Sequence, residues 1–184
     1  AAAAGHFEIA ADGDITLDAA GDIALEAAGN DINIDTDHIN VTSSTSSKPI
    51  LKMTSTGTTS AQSAELRFVK DAADTEDGED CGQITWYGED EGNNLTQVVK
   101  MFGEIAESDE GAEEGRLTIN VASHDGEMQS GLIIASGDAE DEIDVTIANG
   151  AGSTTTVAGS LRPVGQVEMT SHGFTDDIDT TKHY

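Results

Sequence analysis

Carboxylates dominate the groups on this chain that could do chemistry. Thirty-six Asp and Glu stand against eight Lys and Arg, and the clusters Glu89-Asp90-Glu91 and Asp138, Glu140, Asp141, Glu142 have the composition of a general acid beside a general base. Such pairs cleave glycosidic bonds when they flank the bond and differ in protonation. At this density of acids, close pairs arise by chance, so both clusters read as solvated loops. Acidic loops could also hold calcium, which takes roughly six to eight oxygen ligands. The run Asp74-Thr75-Glu76-Asp77-Gly78-Glu79-Asp80 departs from the EF-hand pattern, because Thr75 and Ala73 occupy positions that need oxygen ligands when Asp77-Gly78 is aligned with the loop.

The remaining reactive types are sparse. His124-Asp125 could contribute to a hydrolytic triad, yet no Gly-x-Ser-x-Gly elbow accompanies it, and Asp125-Gly126 reads as a turn. His38 precedes Ile39 and therefore faces outward if Ile39 faces in. A threefold axis could gather three copies of one His around a metal, but no His-x-His spacing supports that. Cys81 is the single cysteine, which excludes an intrachain disulfide and a Cys/His zinc cluster, and reads as a small buried hydrophobe. Trp86 and Tyr87 are adjacent and so belong to opposite faces of a strand. With four Phe, two Tyr and one Trp, the chain is too poor in aromatics for a glycan groove. No catalytic residue and no cofactor is expected.

The elements that must position these groups are strands. Twenty Gly, two Pro and abundant Thr, Ser and Asp suit short strands joined by tight turns. The first 45 residues repeat near every eight: Phe7-Glu8-Ile9, Ile15-Thr16-Leu17, Ile23-Ala24-Leu25, Ile32-Asn33-Ile34 and Ile39-Asn40-Val41. Each block sets two apolar residues around one smaller or polar residue, the period-2 signature of a strand with one buried face. Gly-Asp, Gly-Asn or Asp-Gly separates several of the blocks. So short a strand cannot bury its apolar side alone. Three identical chains, each giving one face of a triangular prism, meet that need and leave no free edge along the shaft. Phe7, Ile9, Ile15, Leu17, Ile23, Leu25, Ile32, Ile34, Ile39 and Val41 are the expected core of that trimer. A single-chain β-solenoid is the other solution.

The expected fold is all-β, an intertwined homotrimeric β-helix or β-prism shaft followed by a small antiparallel β domain. The shaft covers 1–45, and a polar linker covers 46–60. A β-sandwich or meander covers 61–137, with strands near 83–87, 96–105, 117–122 and 132–135 after shorter ones at 50–53 and 65–69. The short rhythm returns at Ile143-Asp144-Val145-Thr146-Ile147, giving a second short prism over 138–163, and 164–184 forms a C-terminal strand and tail. Ala1-Ala2-Ala3-Ala4-Gly5 reads as the cut end of a longer polypeptide.

A formal charge of −28 repels phosphate backbones and anionic headgroups, so nucleic acid and membrane are not expected as partners. No run of about 18 apolar residues and no basic-then-apolar leader is seen, so neither a spanning helix nor a signal peptide is expected. Charge of this size fits a salty habitat, where the Debye length falls from about 10 Å at 0.1 M toward about 3 Å at 1 M.

The octads from Gly13 to Gly29 resemble the repeats of phage cell-puncturing needles and type VI secretion spikes, and more closely the shafts of marine phage tail fibers, in which such repeats form a trimeric triple-stranded β-helix. Further on, Glu65-Leu66-Arg67-Phe68-Val69-Lys70-Asp71, Gly82-Gln83-Ile84-Thr85-Trp86-Tyr87-Gly88, Glu113-Glu114-Gly115-Arg116-Leu117 and Ala122-Ser123-His124-Asp125-Gly126-Glu127-Met128 resemble a module of tail-fiber structural proteins of marine bacteriophages, cyanophages included. That resemblance spans roughly 65–161. It implies an extracellular virion appendage, a homotrimer joined to other tail or appendage proteins, contact with a host surface receptor, and no catalytic residues. A secreted cellular adhesin or surface filament, and a glycan-degrading tailspike, are the alternatives.

Overall fold

The structure is a computed structural model that describes residues 13, 15–25, 32–58 and 63–165. The chain divides into two units, Ala1–Ser63 and Ala64–Tyr184. All regular structure among the described residues is β, and no helix is present there.

The second unit contains one antiparallel sheet of five strands, β1 (Glu79–Glu89), β2 (Leu95–Glu107), β3 (Glu114–Ala122), β4 (Met128–Ser136) and β5 (Ile143–Ile147), in the order in which the chain lays them down. Such a meander follows from runs rich in Val, Ile and Thr separated by short acidic turns, because adjacent antiparallel strands need only a tight connection. The four sequence runs at 83–87, 96–105, 117–122 and 132–135 fall inside β1 to β4. Ile143–Ile147, whose rhythm is that of the opening octads, is β5 and pairs with β4 from Leu132↔Ile147 to Ser136↔Ile143. Residues 50–53 and 65–69 form no strand.

Each turn is closed by its own acids. Between β1 and β2, Asp90 Oδ1 accepts from the Gly92 amide at 2.8 Å and the Asn94 amide at 2.9 Å. Between β3 and β4, Gly126 takes φ +86°, a conformation that costs a residue with a Cβ, and its amide donates to Ser123 O at 2.9 Å. Asp77, just before β1, accepts from the Ser108 amide at 2.9 Å and the Ser108 hydroxyl at 2.8 Å, which ties the start of β1 to the end of β2.

A single sheet has no second layer, and the burial follows from that. No hydrophobic residue among the described ones is buried, and Thr118 alone falls to 5% exposure. Thr118 lies opposite Phe102 on β2 and Ile133 on β4. Among the described residues the meander alone has ladders, and no hydrophobic residue in it is buried.

In the first unit, Ile15, Leu17, Ile23, Leu25, Ile32, Ile34, Ile39 and Val41 are all exposed, between 51 and 66%, and carry no ladder hydrogen bonds within the chain. Phe7 and Ile9, the first two residues of the expected trimer core, lie outside the described residues, as does the segment from 166 onward. Among the described residues these octads have no strand partner.

Candidate functional site

Antiparallel register places directly opposite residues on one side of a sheet, and here it sorts the meander into two unlike faces. One face carries a row across all five strands, Ile84, Met101, Ile119, Leu132 and Ile147. The row on one side of it is Trp86, Val99, Val121 and Gln129, and the row on the other is Gly82, Gly103, Leu117, Ile134 and Val145. These three rows hold no charged side chain. Ile84, Met101, Ile119 and Leu132 are half-buried, while Trp86 is 46% exposed and Ile147 58%.

The other face is polar and self-neutralising. Asp80, Glu104, Arg116, Ala135 and Asp144 form one row across it, and Lys100 projects from the same side. The Lys100 ammonium lies 3.3 Å from Asp80 Oδ2 and 4.0 Å from the Phe102 ring centre, and Arg116 pairs with Glu104. Two of the chain's few cations are thus spent locally on acids that would otherwise repel across the ladder. Trp86 belongs to the apolar face and Tyr87 to the polar one, as their adjacency requires.

The ladder is interrupted at four places, between Asp80 and Gly82, Trp86 and Tyr87, Ile105 and Glu107, and Ile119 and Asn120. Each inserted residue re-aims the strand beyond it and adds twist. Cys81 occupies the first of these bulges, half-buried and with a free thiol. On the apolar face, Phe68 leans over Gly82 and, with Ile84, Met101, Gly103 and Leu117, lines a small cavity of about 150 Å³. Beside it the Lys70 ammonium stands 2.6 Å from Glu79 Oε2, and this partner holds the Glu79 carboxyl below its ordinary value of 4.5.

The residues whose types suggested chemistry fall into turns. Ser123, His124 and Asp125 share the β3–β4 connection, and the Ser123 hydroxyl donates to Asp125 Oδ1 at 2.5 Å instead of to the imidazole. That hydroxyl is the main reason the Asp125 carboxyl titrates below 3.8, with the Glu127 amide second. Asp90 is lowered in the same way, chiefly by the Asn94 amide, and Asp77 chiefly by the Ser108 hydroxyl. A lowered carboxyl that accepts local hydrogen bonds is a turn anchor, since a general acid needs the opposite shift.

The acids Asp138, Glu140, Asp141 and Glu142 line an open recess with Glu113 and Glu114. Two of these carboxylates already have donors, Glu114 from the Ser136 hydroxyl at 2.7 Å and Glu142 from the Ala139 amide at 3.1 Å. Among the described residues no group of three or more His, Cys, Asp or Glu is arranged to hold a metal ion. His38 is exposed, with its backbone amide bonded to Thr36 Oγ1 at 3.3 Å.

The three uncharged rows set the apolar face apart from the polar one. The rows of the apolar face were not evident as rows in the sequence, because they depend on the pairing register between strands. The chain matches no protein-family model, no curated protein and no solved structure.

Proposed function

We propose that the chain is a non-enzymatic structural subunit of a fiber, of the kind carried as a tail fiber or appendage on a virion, where it acts as shaft or connector in a homotrimer and contributes to host attachment. The observation that carries this reading is the absence of any buried hydrophobic residue among the described ones, in a chain whose apolar residues are nonetheless arranged in ordered rows and octads. A fold of this size normally buries a core of its own. Apolar residues patterned for burial and left uncovered in one copy belong to a core shared between copies.

The chemistry of the loops supports the same reading. The lowered carboxylates at Asp77, Asp90 and Asp125 fasten turns, a task suited to a rigid spacer. The resemblance of the octads and of the 65–161 segment to marine phage tail fibers supplies the virion setting, with other tail or appendage proteins and a host receptor as partners.

The test is the native mass of the full chain in high salt, measured by light scattering. A mass near three times 19.1 kDa that persists until the β signal melts is the expected result. A folded monomer at all concentrations would end the shared-core reading and return a single-chain solenoid to consideration.

A further inference from the structure

We infer that the uncharged face of the five-stranded meander is itself a contact between copies of this chain, so that subunits are joined along the sheet as well as along the octads. The inference rests on the homotrimer reading and adds a second, separate interface to it.

Size comes first. The three uncharged rows take about six residues of each strand, and at about 3.3 Å per residue and about 4.8 Å between neighbours they cover roughly 400 Å² of the sheet. That matches the ~300–600 Å² of the largest apolar patch on a monomer, which is often functional, and is about half of the ~800 Å² per partner of a standard interface.

Charge then selects the occupant. A chain of formal charge −28 repels its own copies over most of its surface, and the opposite face of the sheet carries Asp80, Glu104 and Asp144. The three uncharged rows let two such chains approach without setting carboxylate against carboxylate. A basic partner would be drawn to the acids instead, and would leave these rows uncovered.

Dependence points the same way. The sheet has no buried apolar residue of its own among the described ones, so its cover has to be present whenever the chain folds. Another copy satisfies that condition wherever the chain is made.

The experiment uses the full chain with Cys81→Ser, carrying either Ile119→Cys at the centre of the uncharged face or Thr146→Cys on the polar face. Each is treated with a bismaleimide spanning about 10 Å, the separation of packed sheets. Ile119→Cys is expected to give covalent dimers on a denaturing gel, since each chain then carries one thiol, and Thr146→Cys single chains. In parallel, emission from Trp86, the one tryptophan, is expected to be blue-shifted and several-fold less quenched by acrylamide in the assembly than in denaturant. That readout stands even where Ile119→Cys fails to fold.

A trimer in which Trp86 is freely quenched overturns the inference and leaves the fiber reading intact, with the octads as the sole junction. A shielded Trp86 in a folded Ile119→Cys assembly that does not crosslink also overturns it, since the cover is then the chain's own. A folded monomer removes both readings.

Discussion

Phe68 lies so close over Gly82 that a methyl group on that glycine would stand 2.5 Å from the Phe68 Cβ and 2.6 Å from its Cγ. The glycine is there for the ring. Gly82→Ala is expected to destabilise the sheet by about 1–3 kcal/mol, the usual effect of overpacking. Phe68→Ala added to it should recover much of that loss, and denaturant unfolding of the two singles and the double gives the coupling. Additive effects would show that the two residues do not meet.

Truncation on the apolar face distinguishes a covered sheet from an open one. If other copies cover the central row, Leu132→Ala should cost about 2–5 kcal/mol, as for a buried leucine, with a midpoint that depends on chain concentration. A change below about 0.5 kcal/mol, the range of ordinary surface sites, would mean that the face stays wet. Thermal unfolding at several concentrations provides the measurement.

The octads carry their own test. Ile23→Asp or Leu25→Asp is expected to abolish assembly, because each copy of the mutant would set a carboxylate into the shared core. Sedimentation of the variant should find no trimer. An assembled variant of unchanged stability would show that these side chains lie outside any core.

Acid should loosen the turns before the ladders. Asp90 and Asp125 titrate below 3.8 in the fold, so their contribution is fully present above the unfolded value and is lost as the pH falls through the folded one. Amide exchange at Asn94 and Glu127 is therefore expected to lose protection, relative to mid-strand amides, as the pH drops below about 4. Asp90→Asn should remove most of that pH dependence at Asn94. Uniform loss across the sheet would assign the acid effect to net charge instead.

Salt acts in the other direction. Raising it from 0.1 to 1 M shortens the Debye length from about 10 to about 3 Å and should shift the chain toward the assembled state. The partly exposed Lys100–Asp80 pair weakens at the same time, but an exposed pair contributes at most about 1 kcal/mol. Light scattering across a salt series is expected to show mass rising with ionic strength.

Much of the sheet was legible in the sequence because its signals are local. Alternation of apolar and polar residues marks the interiors of β1 to β4, and Asp125-Gly126 and Glu89-Asp90-Glu91 mark turns that the structure closes with backbone and side-chain hydrogen bonds. The attachment of Ile143–Ile147 to β4 was not legible, because a five-residue run looks the same in a prism or at a sheet edge. The uncharged face was hidden for a different reason. Alternation puts Ile84, Met101, Ile119, Leu132 and Ile147 each on one side of its own strand, but which of them stand opposite one another depends on the pairing register, which no local pattern states. Residues 65–69 carry the pattern of a strand, yet Phe68 sits above the sheet and not in it.

Both margins of the meander are guarded by acid. β1 opens on Glu79 and Asp80 and closes on Glu89, and β5 carries Asp144 just after Asp141 and Glu142. Strands that approached these margins from a neighbouring particle would meet carboxylate with carboxylate, which discourages the open-ended stacking that bare sheet edges invite. Growth by accretion at the sheet edges is thereby resisted, and the width of the sheet is written into the number of strands the chain encodes, not left to the concentration of its copies.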